Sequence, residues 1–258
     1  MAKNVIALIV WHINLLNSMI KRTFISVIII LLASVVANAQ NTKSPNLVDV
    51  VTVDGLKIMK PNFASVDLAF GNESPKNDKS VILCVGAAFT GERLSKFSHS
   101  NIAGDHAGSG EVYKGYSCAR NTGAFVYSDG QWKFLYGKDK KNNYSTHLNS
   151  AAKNGGCGVA QEMMIYNKKR VKTTRSNDNT NIFRALCDKN GQLLIIQSSS
   201  FVEFGDFIDS LMAYGVDNAL YLDMGTWSYG WYRPTNDTFE NLLFRIHNYH
   251  TNWLIFKI

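Results

Sequence analysis

The stretch from Phe204 to Asp223 constrains the fold more than any other. Phe204, Phe207, Ile208, Leu211 and Met212 recur at helical spacing, and Gly215 stands where a helix C-terminal stop belongs. The short apolar run Ala219-Leu220-Tyr221-Leu222 follows and reads as a buried strand. It stops at Asp223, and Met224-Gly225-Thr226-Trp227-Ser228 continues as a loop. A carboxylate at the end of a buried strand is held at the lip of a pocket. The strand fixes its position, and Gly225 lets the loop backbone approach a ligand closely. Asp also suits a turn or a helix cap, so a structural role competes with this one. Trp227, Tyr229, Trp231 and Tyr232 lie just beyond. Flat rings beside a carboxylate suit a sugar-binding cleft, because sugar C–H faces stack on aromatic faces. They suit ordinary core packing as well.

Upstream, turn chemistry marks several hairpins. Asp54-Gly55 divides the weakly alternating run Asn46 to Met59, and Asp129-Gly130 divides Asn121–Tyr127 from Trp132–Phe134. Val66 to Phe70 reads as a strand. Ser80 to Phe89 reads as a buried strand ending in small residues, which allow a ligand to come close. Glu92 then sits at the mouth of any pocket there, or in a solvated loop. The block Ser98 to Gly108 is rich in glycine, Asp and His. His106, between Gly104 and Gly108, is a candidate proton donor or phosphate contact, or a surface loop residue. Asn121, just before its strand, is a candidate ligand contact or a turn residue. Tyr144 to Ala152 reads as a short helix, and Val159 to Tyr166 as a strand. Arg184 is the one cation in the otherwise apolar strand Ile182–Cys187. It needs a partner there, and its planar fork suits either a phosphodiester or a salt bridge, with Asp223 as the candidate acid.

These segments carry a resemblance. A helix, then Gly215-x-x-x-Ala219-Leu220-x-Leu222-Asp223, then a Gly/Ser loop resembles the C-terminal signature of the phosphodiester glycosidase family, approximately A-L-N-L-D-G-G-G-S-S. Asp223, Gly225 and Ser228 match, while Met224, Thr226 and Trp227 depart from the glycine run. Gly86-Ala87-Ala88-Phe89 is similar to the family's N-G-G-F-F-like turn without its Asn. Arg184, the turn Asp188 to Gly191 and the following apolar strand resemble a second family segment. The resemblance covers about residues 80–233. It implies an α+β fold with a mixed, mostly antiparallel sheet and a few packed helices. It implies cleavage of a sugar-1-phosphodiester in a glycan, without a cofactor. Asp223, Glu92 and His106 are then the catalytic candidates, in that order. Arg184, Asn121, Gly225, Ser228 and Trp227 are the substrate-binding candidates. The rival on the same fold is a non-catalytic carbohydrate-binding envelope protein. An esterase or peptidase is disfavoured by the lack of a G-x-S-x-G element.

The N-terminus reads as a leader. Lys21 and Arg22 precede the apolar run Phe24–Val36, and Ala37-Asn38-Ala39 is a cleavage signal. Met19 is a natural start, which makes residues 1–18 a candidate upstream extension. The apolar run is short for a membrane span, so an uncleaved anchor is the lesser alternative. Cleavage leaves residues 40–258 as a single periplasmic or secreted domain with no membrane span. Removing Lys3, Lys21 and Arg22 reduces the net charge from +7 to +4, that is 24 basic minus 20 acidic groups. That charge is too mild for a nucleic-acid partner, and no Lys/Arg-rich block with interleaved aromatics appears. Cys84, Cys118, Cys157 and Cys187 permit two disulfides in three pairings and match no zinc spacing, so no metal is expected. Cys84 lies in an apolar run and Cys157 in a Gly-rich loop, which makes Cys157 the more exposed candidate.

Overall fold

The expected hairpins form, and the described residues make three large antiparallel sheets and a two-stranded one, Thr180–Asn181 with Val202–Glu203. A computed structural model describes residues 46–91, 96–139, 143–223, 229–236, 238–242 and 251–258. Asp54 and Gly55 both take positive φ between Val48–Val53 and Leu56–Pro61. Asp129-Gly130 joins Gly123–Ser128 to Gln131–Tyr136 in the same way, and Asn190-Gly191 joins Arg184–Lys189 to Gln192–Ser198. Two consecutive residues with positive φ match the twist of the flanking strands.

The first sheet has seven strands. Their order is Val48–Val53, Leu56–Pro61, Gln192–Ser198, Arg184–Lys189, Asn218–Tyr221, Met163–Tyr166 and Lys169–Arg170. The second runs Glu240–Asn241, Gly230–Tyr232, Val81–Gly86, Asn252–Lys257 and Ser65–Phe70. The third runs Glu111–Tyr113, His106–Gly108, Cys157–Gln161, Gly123–Ser128 and Gln131–Tyr136. Side chains alternate across a strand, so each face of the first sheet serves a different core. Leu186, Ile195, Leu220 and Leu222 join Val85, Leu254, Phe125 and Val159 in the core shared with the other sheets. Ala185, Cys187, Ile196 and Tyr221 pack instead on a helix, Phe204–Tyr214. Phe204, Phe207, Ile208 and Leu211 form its buried stripe. This helix ends as its sequence requires. Gly215 has φ 85°, and Gly215 N and Val216 N donate to Met212 O and Leu211 O.

A second helix, Tyr144–Lys153, lies against the third sheet, its first turn capped by the Asn143 side chain, which accepts from Thr146 N at 3.1 Å. Residues Asn46–Ile258 make one compact unit. The result is an α+β fold, mostly antiparallel sheet with two helices among the described residues.

Two expectations are corrected. The run Val159 to Tyr166 is two strands, Cys157–Gln161 in the third sheet and Met163–Tyr166 in the first. Glu162 is the break between them. Cys157 is fully buried, its Sγ donating to Val66 O at 3.6 Å; its loop glycines precede the strand that takes it inside. All four cysteines are free thiols, and Cys118 is the one with partial exposure. Cys84, Cys157 and Cys187 sit in three different core clusters, and burial pushes each thiol pKa well up.

Candidate functional site

The first and second sheets are stitched together at Asp223. Its N–H donates to Ala87 O at 2.9 Å. Its Oδ2 accepts from Thr90 N at 3.4 Å, a long bond. The acid therefore lies against the segment that leaves Val81–Gly86. That segment is held from several sides. Asn252 brackets Ala88, accepting from its N–H at 2.7 Å and donating to its carbonyl at 3.0 Å. Thr90 Oγ1 lies 3.3 Å from Thr251 Oγ1, and Thr90 bridges Ile102 across the backbone. Tyr116 completes the surroundings. Burial raises its phenol pKa, and the nearby Cys118 and Asp223 add to the shift. Asp223 is thus a partly buried carboxylate with a fixed backbone donor and a neutral phenol beside it.

Two residues before this acid, Tyr221 belongs to an aromatic pair that carries two guanidinium groups. The Phe89 and Tyr221 rings are 5.7 Å apart. Arg120 lies over Phe89 at 5.7 Å, and Arg175 lies over Tyr221 at 4.7 Å and Phe204 at 5.3 Å. Arg175 is set in place by Glu162. This fully buried carboxylate accepts through Oε1 from Thr174 N, Thr174 Oγ1 and Arg175 N, at 2.5, 2.7 and 3.2 Å. Its Oε2 is 3.9 Å from Arg175 Nε. Glu162 O in turn accepts from Tyr221 N, so the two residues face each other across the strands. Sequence reading missed Arg120, Arg175 and the role of Glu162. Each arginine sits in a polar stretch with no motif, and only the pairing of distant strands brings them to the Phe89 and Tyr221 rings.

Arg184 has a different setting. It is fully buried, and Leu222 N donates to its carbonyl, which places it opposite Leu222 and on the other face from Tyr221. Its Nε and Nη2 donate to Gln197 Oε1 at 3.1 and 2.6 Å, and its Nη1 donates to Tyr229 O at 3.0 Å. Burial pulls its pKa down to about 10, so it stays charged at neutral pH. The guanidinium therefore ties the strand to the backbone that follows residues 224–228. Gly230 matches it, since a Cβ there would fall 3.2 Å from Nη1 and 3.0 Å from Cys84 O.

His106 lies in a strand rather than a loop, and it is fully buried. Its Nδ1 bonds Gly104 O, and its Nε2 meets His99 Nδ1, both at 3.0 Å. His99 stacks on Tyr113 with ring centroids 3.5 Å apart, and Phe70 closes the cluster.

Asn121 packs on Gly104 and lines a cavity of about 80 Å³ with Tyr136, Tyr144 and Ala160. Both of its amide atoms are buried without a hydrogen-bond partner. Glu92, Gly225, Trp227 and Ser228 lie outside the described residues. The aromatic residues expected near them are core. Trp231 is fully buried, and Tyr229 and Tyr232 nearly so, in the second sheet. Among the described residues, no group of three or more His, Cys, Asp or Glu is placed to hold a metal ion. No described helix is long and apolar enough to cross a membrane.

No family model matches the sequence, and no characterised protein matches it by sequence. The fold has a distant likeness among solved structures. The chain is similar to the catalytic domain of zebrafish N-acetylglucosamine-1-phosphodiester alpha-N-acetylglucosaminidase, auto-inhibited by its pro-peptide. The TM-score is 0.54 and the identity 11%, over 84% of this chain and 85% of that one. A hypothetical protein from Synechocystis gives a TM-score of 0.46 at 12% identity, over 82% of this chain and 61% of that one. The zebrafish likeness shows a shared fold.

Proposed function

We propose that the protein is a glycosidase that hydrolyses a sugar-1-phosphodiester, with Asp223 as its catalytic carboxylate. The observation that carries this reading is a carboxylate just past a buried strand with the Thr90 amide on its Oδ2, while Arg120 and Arg175 lie over the rings of Phe89 and Tyr221, the first one residue before Thr90 and the second two before Asp223. The shared fold with a phosphodiester glycosidase supports it. In such a reaction the bond between sugar C1 and the phosphate oxygen breaks, and water supplies the new C1 oxygen. Positive charge builds on the sugar ring in the transition state, and a carboxylate stabilises it or takes the proton from the attacking water. The departing oxygen leaves on a phosphomonoester. Such a group has a second pKa of about 6, so it departs near neutral pH without a strong proton donor. A single carboxylate with nearby cations is then sufficient, and the buried His106 is not needed as an acid. Arg120 and Arg175 are the groups for the phosphate oxygens, through the planar fork of the guanidinium. Arg184 acts through Tyr229 O as a positioning residue.

Residues 1–39 are proposed as a cleaved leader, so that the domain works outside the cytoplasm on an envelope or host glycan. Protein recovered from outside the cell would then begin at Gln40. A second reading rests on Met224, Thr226 and Trp227, which stand where the resembled signature has glycine or serine. It is a carbohydrate-binding protein that does not turn over. Sugar release from a panel of synthetic sugar-1-phosphodiesters decides between the two. Release by the wild type, lost in a folded Asp223→Asn variant, supports the glycosidase. Saturable glycan binding with no release on any substrate supports the binding protein.

A further inference from the structure

Beside Tyr221, the loop after Lys169–Arg170 encloses a cleft of about 470 Å³. Arg170, Lys172 and Arg175 line it, with Thr173, Ser176 and Asn177, and no carboxylate is among the lining residues. The counter-ions lie elsewhere. Arg170 pairs with Asp209 on the helix Phe204–Tyr214, and Arg175 with Glu162 beneath the loop. Lys172 is exposed and has no ion pair among the described residues. Arg175 Nε lacks a hydrogen-bond partner although its side chain is only 11% exposed. The three bonds that Glu162 accepts fix the loop backbone before any ligand arrives, which lowers the ordering cost of binding. Ser176 Oγ and Thr173 Oγ1 already donate to Asp178 Oδ1 and Arg175 O, so it is the three cations, with the Asn177 amide, that make this concavity a site for tetrahedral oxyanions.

We propose that this cleft is an anion subsite that binds a second phosphate, or a comparable anionic substituent, on the same glycan that Asp223 acts upon. The inference rests on the glycosidase reading, because Arg175 belongs to both places. Its guanidinium covers Tyr221, two residues before Asp223, and the residue also lines the cleft. The substrate is accordingly a polyanionic glycan, with charge beyond the bond that is cut. A flat anionic membrane is a poorer fit than a chain bearing discrete phosphates, since the cations line a concavity.

Calorimetric titration of the full chain with inorganic tripolyphosphate tests this without any turnover. Lys172→Glu, a change at an exposed side chain, is expected to weaken binding at least tenfold, and Lys172→Ala by less. Binding should also fall steeply with added salt. Equal affinity in wild type and Lys172→Glu, or no binding by the wild type, overturns the subsite. So does binding to anionic-lipid vesicles that Lys172→Glu abolishes while tripolyphosphate binding persists. The two readings fail separately. A titration that separates the variants, with no sugar phosphodiester cleaved, leaves the subsite standing and removes the reaction. Turnover with an indifferent titration does the reverse.

Discussion

Arg184 illustrates what one residue discloses and withholds. A lone guanidinium in an apolar strand had to have partners, and it has them. The partners are Gln197 on the neighbouring strand and the carbonyl of Tyr229, far along the chain. No local pattern names either one, because both depend on which strands lie side by side. Arg184→Ala would take the donor from the buried Tyr229 carbonyl and the partly buried Gln197 amide and open a void, at a cost of about 3 kcal/mol. Urea denaturation should show that loss, and Arg184→Lys should recover little, since a point charge cannot span both acceptors. A variant with unchanged stability that loses only activity would make Arg184 a substrate contact instead.

The histidine pair gives a second prediction at this scale. Gly104 O can only accept, so His106 Nδ1 carries the proton, its Nε2 accepts, and His99 Nδ1 donates. A second proton would place two N–H groups head to head. Burial lowers the pKa of both residues below 6.5, while Glu111 near His99, and Gly104 O and Asp105 near His106, pull the other way. Protons then bind the unfolded chain more readily than the folded one. Stability is therefore full above about pH 7.5 and falls as pH drops through 6.5. Denaturation midpoints taken between pH 8 and pH 5 should decline, and His99→Gln should decline less steeply. An identical slope in that variant would remove the pair from the account.

At the scale of elements, turns and helix ends were legible and sheet membership was not. Asp-Gly pairs and Gly215 act through the backbone of their own residues, so neighbouring sequence suffices to read them. Glu162 acts through pairing. Apart from Gln161 the chain around it is apolar, yet it leaves the third sheet and enters the first at that residue. The strand at His106 is hidden for a related reason, because three residues in a short buried strand carry too little periodicity to register. Gly115 shows how closely these elements approach near the site. A Cβ there would lie 2.1 Å from Gly104 O and 2.2 Å from Ile102 O, where the backbone of Ala103 bridges Tyr116. Gly115→Ala must push this crossing apart and carry Tyr116 away from Asp223. The expected result is a loss of about 2 kcal/mol in stability together with lowered sugar release. A variant that keeps both would mean that the segment yields at little cost.

Across the whole molecule, the strand Asn252–Lys257 decides how the second sheet closes. Asn252–Lys257 is the penultimate strand of its sheet, paired with Ser65–Phe70 on one side and Val81–Gly86 on the other. Trp253, Leu254, Ile255 and Phe256 are all buried, and Asn252 brackets Ala88 beside the segment that meets Asp223. The terminal run reads plainly as apolar. That it inserts between two early strands is not written locally, since every order of antiparallel strands uses the same alternation. Closing so long a loop before its contacts form also makes folding slow, on the order of milliseconds to seconds. Ending the chain at Thr251 should strip the pairing from two strands at once and expose their core faces. The truncated protein is expected to show no cooperative urea transition and to aggregate. If it instead unfolded at the midpoint of the full chain, the strand would be an accessory edge. The position of Ala88 and Thr90, and with it the setting of Asp223, would then have to be maintained by the first sheet alone.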